Sequence, residues 1–160
     1  MKKAISFNTK FGWISAIEEN GKITEIKFLK TKNVGKSLIL KKLKKMINKY
    51  FSKQETSFNL PLEIKGSLLQ KKIWKELIKI PYGKTKSYGD IAKIVKTSPR
   101  YVGNVCGQNK HLLVVPCHRV IRTDGTLGGF SSSGGLGLKK RLLNLEQKII
   151  NNENTNSSTH

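Results

Sequence analysis

A cysteine and a histidine stand side by side in the segment VVPCHRVI, residues 114–121, as Cys117 and His118. A cysteine thiol has an ordinary pKa of about 8.5, so at neutral pH it needs a base or positive surroundings to act as a nucleophile. The histidine is a possible base, and Arg119 follows it directly. The pair therefore indicates nucleophilic chemistry at sulfur, and the alternative is that Cys117 is a small buried packing residue.

Apolar, β-branched residues surround this pair, and the pattern predicts an extended strand. Successive side chains of a strand point to opposite faces, so His118 would point away from the sulfur of Cys117. A productive link between the two therefore needs a turn or a bridging water. A histidine base also needs an acid that orients it, as in other cysteine–histidine and serine–histidine sites.

Three acids follow Cys117 in the chain and are candidates for the orienting role. Asp124 lies in the turn-like sequence TDGT, and Glu153 lies in a polar terminal segment. Glu146 lies on a predicted helix, beside the apolar stripe that faces inward. We select Glu146 because it is near enough to the buried face to point inward. The stripe consists of Leu138, Leu142, Leu145 and Ile149.

Two short helices are predicted before the cysteine segment. Ser87 stands three residues before Asp90, the spacing of a capping box. Ser98 followed by Pro99 is a second helix start, for a helix over about residues 100–108. Together they form a helix-turn-helix pattern, which occurs in nucleic-acid-binding proteins. Any two short helices joined by a polar turn give the same pattern, so it leaves the partner open.

The second helix contains Gly103 and Gly107, four residues apart. A glycine inside a helix costs about 1 kcal/mol relative to alanine, so a compensating gain is needed. Two glycines on one face let a neighbouring backbone or a groove wall approach closely. Tight helix packing and insertion into a nucleic-acid groove explain the pattern equally well.

The first third of the chain has a different pattern. Asn20-Gly21 separates two alternating runs and predicts a hairpin closed by a type I′ turn. Residues 37–52 predict an amphipathic helix that covers the hairpin. The pattern breaks at Pro61 and helical spacing resumes after it, so we place a domain boundary near residue 62. The apolar face of the first helix comprises Ile39, Leu43, Met46, Ile47 and Tyr50.

Composition excludes several classes of protein. The 160 residues contain no apolar stretch of the roughly 18 residues that span a bilayer, so we expect a cytoplasmic protein. Two cysteines and three histidines fit neither a disulfide scaffold nor a zinc site. The last ten residues, NNENTNSSTH, are polar and low in complexity, and we expect residues 151–160 to be disordered.

Positive charge dominates the sequence, with 31 Lys and Arg residues against 10 Asp and Glu and a net charge of +21. Such a charge attracts polyanions and favours nonspecific nucleic-acid binding. Nearly all of it is lysine, and together with many Ile and Asn residues this composition also arises in AT-rich genomes. Charge alone therefore leaves a DNA partner open.

Four segments carry a resemblance to one family: PYGKTKSYGDIA (81–92), RYVGNVCGQN (100–109), PCHRVI (116–121) and GGF…GGL…LLNLE (128–146). Together they resemble the O6-alkylguanine-DNA alkyltransferases, also called methylated-DNA–protein-cysteine methyltransferases. The resemblance covers residues 66–148 and fits the earlier residues only loosely. It implies an α+β protein. A small ribonuclease-H-like α/β domain would occupy residues 1–62, and a mostly helical, winged-helix-like domain with a helix-turn-helix would occupy residues 63–150.

The reaction that the resemblance implies is DNA repair by direct, irreversible transfer. Cys117 accepts the alkyl group from O6 of a flipped guanine, with O4-alkylthymine as an alternative substrate. His118 acts through a water as base, and Glu146 orients it. Tyr88 protonates or hydrogen-bonds the leaving guanine, and Asn109 holds the turn before the acceptor segment. No cofactor or metal is implied.

The same resemblance implies a monomer that binds double-stranded DNA through the minor groove. Arg100 takes the place of the extruded base, whose extrusion costs a few kcal/mol. Ser87, Tyr101 and Gly103 belong to the contact surface, and the slim helix face at Gly103 suits a narrow groove.

The expected substrate pocket comprises Val120, Phe130, Ser131 and Ser132. Phe130 stands where many family members have tyrosine, so a hydroxyl contact is missing. The sequence FSSSGGL is about two residues longer than usual in the family. It therefore stays open which serine of 131–133 presents its backbone amide to guanine O6.

Three other functions compete with repair. A relative that binds damaged DNA without repairing it would lack the acceptor cysteine, which is present here. A cysteine hydrolase would release its product with water, but a thioether has no acyl carbon for water to attack. A transcription factor built on the helix-turn-helix would leave the PCHRV sequence unexplained.

We predict that DNA binding depends strongly on salt and little on sequence. Lysine contacts to phosphate release counterions without reading bases, so log affinity should fall linearly with log salt, by about 0.9 per phosphate neutralised. Shuffling the sequence around one O6-methylguanine should change affinity by no more than about 1 kcal/mol. Titration of unrelated duplexes at several salt concentrations measures both effects. A flat salt response, or a strong preference for one undamaged sequence, would favour the transcription factor.

Overall fold

The computed structural model describes residues 1–52, 57–128 and 135–158 and has a mixed α/β architecture. An antiparallel sheet comes first, in the order β1-β2-β3, formed by β1 (Lys2–Thr9), β2 (Gly12–Glu19) and β3 (Lys22–Lys27). The turn between β2 and β3 has Asn20 at φ 54° and Gly21 at φ 81°. A type I′ turn requires positive φ at both positions, so the predicted hairpin is confirmed.

Helix α1 (Leu38–Phe51) packs on this sheet, as the sequence predicts. Ser37 caps its N-terminus, where the hydroxyl oxygen accepts a hydrogen bond from Leu40 N at 3.2 Å. The buried face is turned slightly from the predicted one, because Ile39 and Met46 are only half-buried. The buried residues of α1 are Leu40, Leu43, Ile47, Tyr50 and Phe51. Tyr50 and Phe51 thus enter the interior together.

The chain then returns alongside β3 and joins its two halves. Ile23 N donates to Pro61 O at 2.9 Å, and Glu63 N donates to Ile23 O at 2.9 Å. From the C-terminal half, Lys110 O accepts from Ile26 N at 2.7 Å. Buried apolar residues from both halves form one contiguous cluster, so the halves share a core.

Four short elements follow, namely α2 (Leu68–Ile78), β4 (Lys86–Ser87), α3 (Tyr88–Val95) and α4 (Pro99–Cys106). Ser87 and Asp90 form the predicted capping box of α3, and Ser98 caps α4 with Pro99 in its first turn. Helices α3 and α4 pack against each other, as the helix-turn-helix pattern predicts.

The two glycines of α4 are placed differently from each other. Gly103 lies inside the helix, where an added Cβ would meet the Tyr88 ring at 3.9 Å, an ordinary contact distance. Gly107 instead is the C-terminal cap, with φ −66°. The expectation of two interior glycines is therefore wrong at Gly107, because α4 ends at Cys106.

The segment VVPCHRVI is not a continuous strand, which corrects the prediction. Cys117–Arg119 forms one 3-10 turn, and only β5 (Val120–Ile121) is extended, pairing in parallel with β4. Pro116 has no amide hydrogen to give to a strand, and its carbonyl accepts from Arg119 N at 2.9 Å. The turn overrides the β-branched pattern, so His118 does not lie on the opposite face of a strand from Cys117.

The last helix, α5 (Gly135–Ser158), runs through most of the segment that the sequence analysis expects to be disordered. Residues 151–158 continue it because no glycine or proline follows Gly137 to end the helix. The predicted pocket residues Phe130, Ser131 and Ser132 lie outside the described residues. None of the helices in the described ranges is both long and apolar enough to cross a membrane.

Candidate active site

The Glu146 carboxylate is the centre of a buried hydrogen-bond network. Its Oε2 lies 2.6 Å from His118 Nε2 and accepts from the Tyr50 hydroxyl at 2.6 Å. Its Oε1 accepts from Gly83 N at 3.0 Å and from Arg119 Nε at 2.8 Å, and Arg119 Nη2 donates to Oε2 at 3.2 Å. The structure thus brings together Glu146 and His118, the two residues that the sequence analysis pairs.

The charges of this network follow from its contacts. Burial raises the pKa of the Glu146 carboxyl, but the hydrogen bonds from His118 and Arg119 and the Arg119 charge outweigh burial and hold that pKa well below its usual range. Glu146 is therefore ionised at neutral pH. Burial lowers the pKa of His118, and Arg119 and Lys139 act in the same direction, against Glu146. His118 is therefore neutral at neutral pH.

A neutral imidazole carries one proton, and the network fixes which nitrogen holds it. Glu146 Oε2 is an ionised acceptor, so Nε2 of His118 carries the proton and donates a hydrogen bond to that oxygen. The other ring nitrogen, Nδ1, has a lone pair. The network therefore orients a base whose accepting atom is Nδ1.

Cys117 precedes this base and is 3% exposed. All ten residues from His111 to Val120 are buried. Burial raises the pKa of the Cys117 thiol to about 11, whereas hydrogen bonding with Asn109 and the Lys139 charge act to lower it. At rest the sulfur is therefore an enclosed thiol and not a thiolate.

Asn109 shapes the loop that leads to Cys117. Its Nδ2 donates to Val115 O at 2.8 Å, and its Oδ1 accepts from His111 N at 2.8 Å. Leu113 between them has φ 72°, a conformation that is uncommon for residues other than glycine. The family resemblance implies that Asn109 holds this turn, and the contacts of Asn109 lie there.

Tyr88 and Lys139 both interact electrostatically with the Cys117 thiol. The Lys139 ammonium donates to the Tyr88 hydroxyl oxygen at 3.3 Å, to Val120 O at 2.6 Å and to Leu127 O at 2.5 Å. Burial is the main cause that raises the pKa of Tyr88 to about 12. Tyr88 therefore keeps its proton at neutral pH. Since an ammonium donates only, its contact leaves the phenol proton available for another acceptor.

A surface cleft adjoins Tyr88 and includes residues of α4. Arg100, Gly103 and Arg122 line it, and both arginines are exposed. A Cβ at Gly128, on the opposite side of the ring, would lie 2.8 Å from the Tyr88 hydroxyl oxygen. The cleft thus brings Arg100 and Gly103, predicted from the sequence as DNA contacts, next to Tyr88.

The remaining predicted residues have mainly structural contacts. Ser87 uses its hydroxyl for the α3 cap, where it accepts from Asp90 N at 2.9 Å. Tyr101 is half-buried on α4, and Val120 is fully buried. Val120 contributes its carbonyl to the site, as an acceptor for Lys139.

Sequence reasoning does not assign Tyr50 or Lys139 to the site. Tyr50 is counted there as one apolar position of the α1 face. Lys139 is one of many lysines, but its helical spacing from other buried residues of α5 indicates that it faces inward. It stands three residues before Leu142 and seven before Glu146, which puts its side chain on the buried face of α5.

A metal ion and the second cysteine, Cys106, are the alternatives to Cys117 as the reactive group. Among residues 1–52, 57–128 and 135–158, no group of three or more His, Cys, Asp and Glu side chains could hold a metal ion. The second cysteine, Cys106, is free and buried, and burial raises its pKa to about 12. Both cysteines are therefore protonated thiols at neutral pH.

Comparison with known sequences identifies similar proteins. The family model described as "6-O-methylguanine DNA methyltransferase, DNA binding domain" matches residues 68–148. A methylated-DNA–protein-cysteine methyltransferase of Mycobacterium bovis is 42% identical over 103 residues, which are 63% of this chain and 61% of that protein. The protein of the same name in Metallosphaera sedula is 36% identical over 149 residues, which are 91% of this chain and 93% of that protein.

Comparison with solved structures extends the similarity to the fold. The crystal structure of Mycobacterium tuberculosis OGT in complex with DNA has a TM-score of 0.82 and 30% sequence identity, and the match covers 91% of this chain and 93% of that chain. The M. bovis protein is matched over less than two thirds of its length, whereas the M. sedula protein is matched over nearly all of it. The similarity therefore extends beyond the C-terminal motifs into the N-terminal half.

We predict that Glu146→Gln destabilises the protein by on the order of 3 to 5 kcal/mol, because the buried Arg119 guanidinium loses its counter-charge. Urea unfolding of the full chain measures the loss. Glu63→Gln is the matched control, since it removes an exposed pair with Lys22 and should cost less than about 1 kcal/mol. Equal losses in the two variants would contradict a buried ion pair at Glu146.

Proposed function

The chain belongs to the O6-methylguanine DNA methyltransferase family, and from this we propose that it repairs DNA by moving an alkyl group from O6 of guanine to Sγ of its own Cys117. The observation that carries the proposal is the buried Cys117 thiol beside a neutral His118 whose Nε2 is held by Glu146. This arrangement supplies an acceptor atom, a base and an anion that orients the base.

The first step is removal of the Cys117 proton. Nδ1 of His118 accepts it through a bridging water, and the ionised Glu146 stabilises the imidazolium that results. Asn109, whose hydrogen bonding lowers the pKa of the thiol, stabilises the developing thiolate. Because burial keeps the resting sulfur protonated, the reactive anion forms only when a substrate is in place to consume it.

Sulfur then attacks the alkyl carbon of the lesion. A C–S bond forms, the C–O6 bond breaks, and the bonding electron pair stays with guanine. Tyr88 gives a proton or a hydrogen bond to the guanine ring, which leaves as the ordinary base. The raised pKa of Tyr88, about 12, suits a donor that keeps its proton until negative charge develops on the substrate. Lys139 beside the phenol oxygen offsets the charge that remains there.

Each protein molecule reacts once. The thioether at Cys117 has no acyl carbon for water to attack, so no step of this mechanism returns the thiol. Protein consumed and lesions repaired are therefore equal in number, which distinguishes this activity from that of a cysteine hydrolase.

Helix α4 contacts the DNA from the minor groove. Arg100 is exposed near its N-terminus and fills the space of the flipped base, and Gly103 gives the helix a slim face. Ser87 and Tyr101 belong to the DNA-contact surface, and Val120 belongs to the base pocket. Support comes from the M. tuberculosis relative, which was crystallised in complex with DNA.

The finer architecture belongs to the same proposal. Residues 1–62 form a ribonuclease-H-like domain, and residues 63–150 form a winged-helix-like domain that carries the acceptor. The protein works as a monomer in the cytoplasm.

We predict that Cys117→Ala abolishes alkyl transfer and leaves DNA binding intact, because the lysines and Arg100 make the DNA contacts. Mass spectrometry after incubation with DNA containing O6-methylguanine should show one added methyl group, on the Cys117 peptide of the unaltered protein only. Cys106→Ala is the control and should react normally. Methyl removal by Cys117→Ala, or a methyl group on Cys106, would contradict the assignment.

A second substitution separates base flipping from chemistry. Arg100→Ala should slow repair of duplex DNA far more than transfer from free O6-benzylguanine, since the free base needs no extrusion. Single-turnover rates on both substrates measure the difference. If the two rates fall equally, Arg100 has another role.

A further inference from the structure

The Tyr50 hydroxyl contacts the same Glu146 oxygen as His118, although 96 residues separate Tyr50 from Glu146 in the chain. Both contacts are 2.6 Å long. Tyr50 is fully buried, and the rings of Phe58 and Tyr82 lie 5.9 Å and 5.6 Å from its own ring, between centroids. Packing therefore holds the phenol in position independently of the hydrogen bond.

Tyr50 can only donate in this contact. Burial, followed by the charge and the hydrogen bond of Glu146, raises the pKa of Tyr50 well above its ordinary value. The phenol is therefore protonated at neutral pH, and Glu146 is ionised. Short hydrogen bonds from a hydroxyl to a carboxylate are among the stronger ones in proteins.

We propose that Tyr50 is a positioning residue of the transfer reaction, whose hydroxyl holds Oε2 of Glu146 where that oxygen accepts the hydrogen bond from His118 Nε2. The proposal rests on the proposed function of Cys117 and His118. Tyr50 takes up part of the negative charge of Oε2. The carboxylate therefore attracts the His118 proton less strongly than it would without Tyr50, and the imidazole stays a neutral base to lower pH.

The other ionisable groups around the pair do not depend on Tyr50. On the 3-10 turn, Arg119 is a permanent cation and Cys117 is a thiol with a pKa of about 11. Lys139 on α5 acts on His118 in the same direction as Arg119. The ring of Tyr82, which precedes β4, lies 5.6 Å from the Arg119 guanidinium carbon and 5.6 Å from the Tyr50 ring, measured to its centroid. Removing the Tyr50 hydroxyl leaves all four groups in place.

Through Tyr50, the N-terminal half of the chain takes part in the chemistry. Each of the other Glu146 donors described above comes from Gly83 or from later residues. Only Tyr50, on α1, reaches the carboxylate from the N-terminal half among the described contacts. Helix α1 therefore supports the base directly as well as covering the sheet.

The test is Tyr50→Phe in the full chain, which removes the hydroxyl and keeps the ring. NMR titration of the imidazole measures the His118 pKa in the resting protein, and single-turnover transfer from free O6-benzylguanine measures the pH profile. We expect His118 to titrate about half a pH unit or more higher in the variant. The acid limb of the pH profile of the transfer rate should move to higher pH by the same amount, because the His118 base is then protonated at higher pH.

Tyr82→Phe is the matched control, since it removes a hydroxyl of the same aromatic cluster that is not among the Glu146 donors described above. Its His118 should titrate as in the unaltered protein. If Tyr50→Phe does not fold, 3-fluorotyrosine at position 50 provides the second measurement. Fluorine makes the phenol a stronger donor, so the His118 pKa should then move down.

The outcomes separate this proposal from the one on which it rests. An unchanged His118 pKa with either substitution, or a loss of rate that is equal at every pH, would overturn the role of Tyr50. If the unaltered protein places no alkyl group on Cys117, the proposed function fails. The NMR titration then still shows whether Tyr50 controls the His118–Glu146 pair.

Discussion

The buried ion pair between Glu146 and Arg119 is the interaction on which the rest of the site depends. Removing two charges from water costs several kcal/mol per ion, and their attraction compensates only when the remaining hydrogen-bonding positions are used. Within the part of the chain that the structure describes, five hydrogen bonds from four residues occupy the Glu146 carboxylate. These donors lie on α1, after α2 and on the 3-10 turn. One carboxylate therefore joins elements from both halves of the chain and sets the proton position on His118.

Features with local signals could be predicted from the sequence. The Asn20-Gly21 turn and the capping box at Ser87 depend on residues only a few positions apart, and both occur as expected. Glu146 could be selected because helical spacing places it beside a buried stripe. The family motifs then indicate the same cysteine, histidine and glutamate, whose roles stay predictions.

Features decided by distant contacts could not be predicted in this way. The β-branched residues around Cys117 favour a strand, but Pro116 and the Asn109 contacts impose a turn. The α1 stripe identifies Tyr50 as buried without showing that its hydroxyl meets a carboxylate 96 residues away. A sequence pattern reports which face of an element is buried and contains no information about the polar partner on the other side.

The position of Glu146 on the last helix has a consequence for synthesis of the chain. Proteins emerge from the ribosome N-terminus first, so Cys117 is made before α5 can pack against it. Until α5 arrives, Arg119 lacks its counter-charge, His118 lacks the carboxylate that orients it, and the packing of α5 against the 3-10 turn is not made. An unenclosed thiol has a pKa near the ordinary value of about 8.5 and is open to stepwise oxidation to the sulfenic and sulfinic acids. The Cys117 thiol is therefore more open to oxidation in a nascent chain that lacks α5 than in the folded protein, where it is buried.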